Sequence, residues 1–497
     1  MFRKKNILTI GIAVLSFSFF TSCEKYLDVE PRYVEDAENY FNNKGDYERA
    51  LVGAYDLLQS SFIINWIGEI ASDNSIAGGE SVNDSEGLHQ IDAMNHGGVN
   101  SELRNVFRWN YAGIARTNYI MEYKDKTAFT GKEIILGETR FLRAYYYFEL
   151  VKFFGDVPLV VDKRLGAEEV TKIPRTPKAE VYQQIEEDLK YAIENLNWSN
   201  PIKGRTDKGA ALALLGKVYL YQNKFDLAAT TLDAVISANA FTLVSDFGSM
   251  YLASGENGPE SVFEIQYSNV SPYYNWGGAT RGQGNYAVQQ CGIRGLNGSA
   301  QMPYAAGWST NLPTQNLAAA YTAGDRRKNV TVLDIEAYKA ANPSFNITYQ
   351  VAPFKNTGLY NQKYLPRKGE TSGQVELNYT NNFRIIRYAD VLLMAAEAFN
   401  RATAPNDSKA QGYLNQVRQR AFGNASNNIT ATGTALRQAI WDERRLELAM
   451  EGDRFFDLVR TGQAASRITG FRVGKHEVFP IPQQEVDISG LTQNAGY

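Results

Sequence analysis

The chain of 497 residues is predicted to be mostly α-helical: one large domain of stacked helix pairs, with long irregular loops and little β structure. Three observations predict it. The stretch RFLRAYYYFELVKFFGDVPLV (140–160) places seven aromatic rings in its first fifteen residues, on every side of a helical wheel. A small residue followed by a fixed ladder of apolar positions recurs in three helix pairs. Between two helical blocks, 36–240 and 380–462, lies a stretch with neither helical nor strand period.

The elements follow in chain order. MFRKKNILTIGIAVLSFSFFTSC opens with Arg3, Lys4 and Lys5, then a 14-residue apolar run from Ile7 to Phe20. That run is too short to span a bilayer and suits a signal-peptide core. Thr21 and Ser22 precede Cys23, an arrangement that resembles the lipobox of bacterial lipoproteins. Residues 1–22 are therefore read as a lipoprotein signal peptide, Cys23 as the lipidation site and 23–35 as a lipidated tether. The body is expected to run from 36 to 497, with helix beginning near Tyr33 or Asp36.

In the aromatic stretch, Phe141, Tyr145 and Phe148 form one stripe and Tyr146, Leu150 and Phe153 another. A helix that is apolar all round is buried on most sides. Gly155 and Pro158 should end it. In LLGKVYLYQNKFDLAATTLDAVI (214–236), Leu215, Gly216 and Tyr219 are followed by Ala228 and Leu232. These are tetratricopeptide spacings, with a small residue where two helices touch. Ala398 with Ala410, Leu414 and Val417 repeats the geometry. Ala144 and Tyr147 match Gly216 and Tyr219, with 178–196 as the returning helix. Such pairs cannot bury their faces singly, so they stack and share a core.

Residues 268–313 hold eight glycines, six aromatics, nine Asn or Gln and only two charges, Arg281 and Arg294. A long aromatic-rich loop in a compact domain points to function, and its aromatics argue against disorder. A shorter polar stretch, 65–87, has similar character around Trp66, Asp73 and Asn74. A sugar ring has an apolar face and a rim of hydroxyls. Trp and Tyr cover the face, while Asn, Gln, Asp and Arg pair with the rim.

Net charge of −3 excludes the electrostatics of a nucleic-acid binder. Three scattered histidines do not suggest a metal site, and no metal or cofactor is expected. Neither a nucleophile elbow, a zinc-protease helix nor a phosphate-cradling loop occurs. Cys291 reads as a small loop residue. ERRLELAMEGDRFFDLVR (443–460) reads as a structural helix laced by its own pairs, such as Arg444 with Glu447.

Several stretches, in order, resemble the SusD/RagB family of outer-membrane nutrient-binding lipoproteins. WNYAGIARTNYIME (109–122) and ETRFLRAYYYFELVKFFGDVPLV (138–160) look like its N-terminal signatures. RIIRYADVLLMAAEA (384–398), LNQVRQRA (414–421), ERRLELAMEGDRFFDLVRTG (443–462) and VFPIPQQEVD (478–487) look like its C-terminal ones. The resemblance implies a lipid-anchored outer-membrane protein facing the cell exterior. It would capture an oligosaccharide or polysaccharide and perform no chemistry, as the lid of a SusC-like TonB-dependent β-barrel transporter. By region, it implies ligand contacts at Trp66, Asp73 and Asn74, and at Tyr273, Trp276, Arg281 and Trp308 in the mid-chain insertion. The alternatives are an anchored glycoside hydrolase and a tetratricopeptide scaffold for protein partners.

Overall fold

The computed structural model describes residues 40–270, 282–351, 353–371 and 377–497. The signal segment, Cys23, the tether, Tyr273, Trp276 and Arg281 lie outside the described residues.

The principal helices are α1 (Lys44–Asp56), α2 (Phe62–Ile70), α3 (Ser101–Glu122), α4 (Lys132–Phe154), α5 (Lys178–Asn195), α6 (Lys208–Tyr221) and α7 (Phe225–Ser237), then α8 (Tyr388–Arg401), α9 (Asp407–Phe422), α10 (Gly433–Glu447) and α11 (Arg454–Arg460). Local chemistry starts them. Asn43 and Asp46 cap α1 reciprocally, the Asn100 carboxamide accepts from two backbone N–H groups of α3, and Asp207 caps α6. The aromatic helix α4 stops at Gly155, whose φ of 71° favours a residue without a side chain.

Residues 141–151 of α4 are all buried, as expected for a helix without a polar face. Phe141 meets Phe263 edge-on at 5.0 Å, Phe148 meets Tyr221 at 5.1 Å, and Phe153 packs on Phe456 and Phe479 at 4.8 and 5.3 Å. Tyrosine hydroxyls on this helix find partners. Tyr146 donates to the Ala54 carbonyl at 2.7 Å; Tyr147 donates to the Val160 carbonyl at 2.9 Å and accepts from its N–H at 2.8 Å. The buried Arg143 is held by Asp188 through two 2.8 Å bonds and by Asp162 at 2.7 Å.

The pairs α4/α5, α6/α7 and α8/α9 form one continuous stack, in which α7 packs directly on α8 although residues 238–387 intervene. At the α6/α7 contact a Cβ on Gly216 would sit 2.5 Å from the Leu232 side chain, the close approach that the repeat spacing implies.

Among the described residues, all strands are short and pair two by two. β1 (Ser75–Ala77) is antiparallel to β5 (Asn311–Pro313), and β2 (Ser261–Ile265) to β8 (Phe383–Arg387). β3 (Ile293–Arg294) runs parallel to β4 (Ala306–Gly307), and β6 (Val332–Asp334) antiparallel to β7 (Leu359–Asn361). The described part of 268–313 is thus more ordered than its lack of period suggests, with β3, β4, β5 and a helical turn, Ala287–Cys291. Its strands are only two or three residues long, and β5 takes its partner from β1, so no local period exists to be read. Ile293, Leu296, Met302, Tyr304 and Leu312 build a second small core with Leu333, Ile335 and Tyr360.

The charged stretch 443–460 is structural and partly laced by its own pairs, Arg460 with Asp457 at 2.7 Å among them, but Arg444 and Glu447 look elsewhere. Arg444 reaches Asp390 at 2.6 Å and Asp457 at 3.1 Å, while Glu447 accepts from Arg327 at 3.0 Å and Arg387 at 2.8 Å. Each pair joins α10 to another segment, in the interior, where i,i+3 proximity matters less than the burial of both partners. Two of the scattered histidines also meet: His96 and His476 lie 5.4 Å apart, in a ring cluster with Phe479 and Tyr497.

Candidate functional site

Trp66 lies in α2, where the run FIINWIGEI is buried throughout. This places it in the main core rather than on a loop, 4% exposed. Two contacts fix the helix. Gly68 abuts Gly452 so closely that a Cβ would lie 1.8 Å from the Gly452 carbonyl oxygen. The next residue, Glu69, accepts through its carboxylate from Gly452 N–H at 2.7 Å and from the Asn74 carboxamide at 3.2 Å. Burial pushes the Glu69 carboxyl up to about 7. A carboxyl poised near neutrality is often catalytic. Glu69 is fully enclosed, however, and bound to the backbone it positions.

The structure brings Trp66 to Trp308, from the far end of the mid-chain insertion. Tyr286 is the link: its ring lies 5.5 Å from Trp66 and 5.5 Å from Trp308, the latter at 77°. Phe62 closes the group, 5.1 Å from Trp66 and 5.5 Å from Tyr286. Trp66 and Phe62 form the buried base, while Tyr286 and Trp308 are half-buried above it. Two perpendicular rings make a corner against which a flat apolar face can stack. The indole N–H of Trp66 has no acceptor among the described residues.

Trp308 is braced through its backbone. Its N–H donates to the Gln289 carbonyl at 2.9 Å, and its own carbonyl accepts from Arg294 at 2.8 and 3.2 Å. Arg294 in turn pairs with Asp84 at 2.9 Å. Gln289 and Gln290 lie buried beneath, with Thr310 hydrogen-bonded to Gln290. The Trp308 ring is therefore held on a fixed backbone, between the Arg294–Asp84 pair and the buried amides of Gln289 and Gln290.

Asp73 and Asn74 do other work. Asp73 grips Arg454 through bonds of 2.7 and 2.9 Å and faces Arg445 at 3.2 Å. Despite its partial burial, these arginines hold its carboxyl below the usual range. Asn74 is 0% exposed and accepts from Arg445 at 2.9 Å. Both side chains clamp α2 and β1 to the C-terminal helices, because a loop carboxylate beside two arginines is drawn inward by charge. Tyr286 immediately precedes a one-turn helix, Ala287–Cys291, that no local pattern announces. Cys291 is buried beside Asn361, and burial pushes its thiol up to about 12, which suits an inert packing residue.

The fold is that of the SusD-like glycan-binding proteins. A family model described as "SusD family" matches residues 348–477, and one described as "Starch-binding associating with outer membrane" matches 25–220. The chain is 30% identical to SusD-like protein P2 of Formosa agariphila over 387 residues, covering 73% of this chain and 74% of that protein. Among solved structures, a laminarin-binding SusD-like protein is 34% identical with a TM-score of 0.83, over 92% of this chain and all of the other. Surface glycan-binding protein A from Bacteroides thetaiotaomicron, in complex with laminarihexaose, is 26% identical with a TM-score of 0.79, over 91% of this chain and 99% of the other. The chain belongs to the SusD/RagB family. No described helix is long and apolar enough to cross a membrane.

Proposed function

We propose that this protein is a lipid-anchored surface receptor that captures oligosaccharide, without cleaving it, for import by a SusC-like TonB-dependent transporter. The observation that carries the binding role is the Trp66–Tyr286–Trp308 cluster, assembled from distant segments with two half-buried rings at its edge. Tyr273, Trp276 and Arg281 are proposed to join it. Relatives that bind laminarin and laminarihexaose make a glucan the first ligand to test. The carboxylates around the cluster support binding over hydrolysis. Asp73 is tied to two arginines that hold its carboxyl low, whereas a glycosidase acid needs a raised pKa and access to the scissile bond.

Trp308→Ala tests the site. Loss of a stacking face worth roughly 1.5–3 kcal/mol weakens binding about ten- to a hundredfold. Calorimetric titration with laminarin should show this, while the melting temperature barely moves, and no reducing ends should appear with the wild type. Normal affinity in the variant would remove Trp308 from the site. Trp66→Ala is a poorer probe, because emptying a buried position costs about 3–5 kcal/mol of stability by itself.

The anchor and the partner are tested together by native extraction in mild detergent. The wild type should enter the detergent phase and co-purify with a large β-barrel. Cys23→Ala should stay aqueous with unchanged melting. Repeated recovery of the wild type alone would count against the lid role, and detergent partitioning of the variant against Cys23 as the anchor.

A further inference from the structure

We infer that the polar cavity beside Trp198 is a second sugar-contact site, which engages glycan chains too long for the aromatic cluster alone. The inference rests on the glycan-binding reading above. Trp198 is 39% exposed. It rims a cavity of about 250 Å³ whose other walls include Asn200, Lys203, Arg205, Asn257 and Glu264. An open indole over a polar hollow is the pairing that a sugar ring requires: a face to stack on and groups for its hydroxyls.

The hollow is rigid. Leu196 plugs into the core against Gly137, and Lys208 N–H donates to the Asn197 carbonyl at 2.8 Å, so the loop that bears Trp198 is tied at both ends. The Asn200 carboxamide donates to the Thr206 carbonyl at 3.1 Å and accepts from Ile202 N–H at 3.0 Å. Across the cavity, Asn257 and Gln266 exchange amide bonds of 2.9 and 3.0 Å. That exchange leaves Asn257, half-buried, with a second N–H for a ligand. Lys203 has no ion partner among the described residues and can turn its ammonium over the opening.

One segment connects this hollow to the aromatic cluster. The Gln266 carbonyl accepts from the Gln59 side chain at 3.0 Å, and the Tyr267 hydroxyl donates to the Gln59 carbonyl at 3.1 Å. Gln59 precedes Phe62 by one turn and Trp66 by two, so the wall of the hollow and the base of the cluster share one frame. Two contacts on one chain raise the effective affinity without either being strong.

The test is a pair of titrations, with laminarin and with its trisaccharide. Trp198→Ala, and separately Asn257→Ala, should weaken binding of the polysaccharide by roughly tenfold through lost avidity and leave the trisaccharide within about twofold. Trp308→Ala should weaken both. Wild-type polysaccharide affinity in both cavity variants would overturn the second site and leave the function standing. A wild-type protein that binds neither probe would overturn the glucan reading and this inference together. Equal losses for both probes would also overturn it, by making Trp198 part of the primary site.

Discussion

Glu447→Ala is expected to lower the unfolding free energy by about 3–5 kcal/mol, the cost of breaking a buried ion pair from one side. Glu447 is fully buried, and Arg327, Arg387 and Arg420 all converge on it. Those guanidiniums keep other partners: Arg327 holds Asp325 and Glu443, and Arg387 holds Glu260 and Glu451. With the central carboxylate gone, three positive groups face one another without water. A urea titration should show a lower midpoint with an unchanged slope. A loss below about 1 kcal/mol would mean that the remaining carboxylates suffice.

The same cluster sets the acid response. The arginines hold Glu447 far below the ordinary 4.5, and Arg387 with Lys363 holds Glu451 at about 2. The folded state thus binds these protons less tightly than the unfolded state. Their contribution is complete above pH 4.5 and is lost as pH falls toward 2. Glu69, raised to about 7, acts in the opposite sense, complete below 4.5 and fading as pH rises through 7. Melting temperature should therefore peak between these limits and fall steeply on the acid side. A flat profile from pH 5 to 2 would contradict the assignment.

Tyr147→Ala should be as costly, about 3–5 kcal/mol, because it empties a fully buried aromatic position. It also leaves the Val160 N–H and carbonyl without the hydroxyl that serves both. Tyr147→Phe keeps the ring and loses only those bonds, so about 1–3 kcal/mol is expected. Thermal melts would rank the two, and laminarin affinity of the folded variants should match the wild type. The contrast with Trp308→Ala, which loses affinity and keeps stability, separates frame from site. A Tyr147→Ala protein that melts normally would refute the packing argument.

Much of the frame was legible locally. A helix aromatic on all sides must be enclosed, and α4 is; Gly216 marks a helix contact because only a missing side chain permits that approach to Leu232. The family's motifs lie on helices for the same reason, since they preserve packing. The site was legible only in part. Trp66 and Trp308 were named, but nothing near either in sequence shows that Tyr286 joins them. Asp73 and Asn74 looked like loop polars free to meet a ligand, and Arg454, Arg445 and Glu69 draw them inside.

The helices, their caps and stops, and the small-residue contacts that make them stack were readable from the amino-acid order alone. Each of these depends on residues a few positions apart. The folded chain alone shows which half-buried rings share a corner, which carboxylates are spent on arginines, and that the third helix pair closes directly on the second. Those outcomes depend on segments hundreds of residues apart, where burial of charge and close approach of backbones select one arrangement that no local pattern encodes.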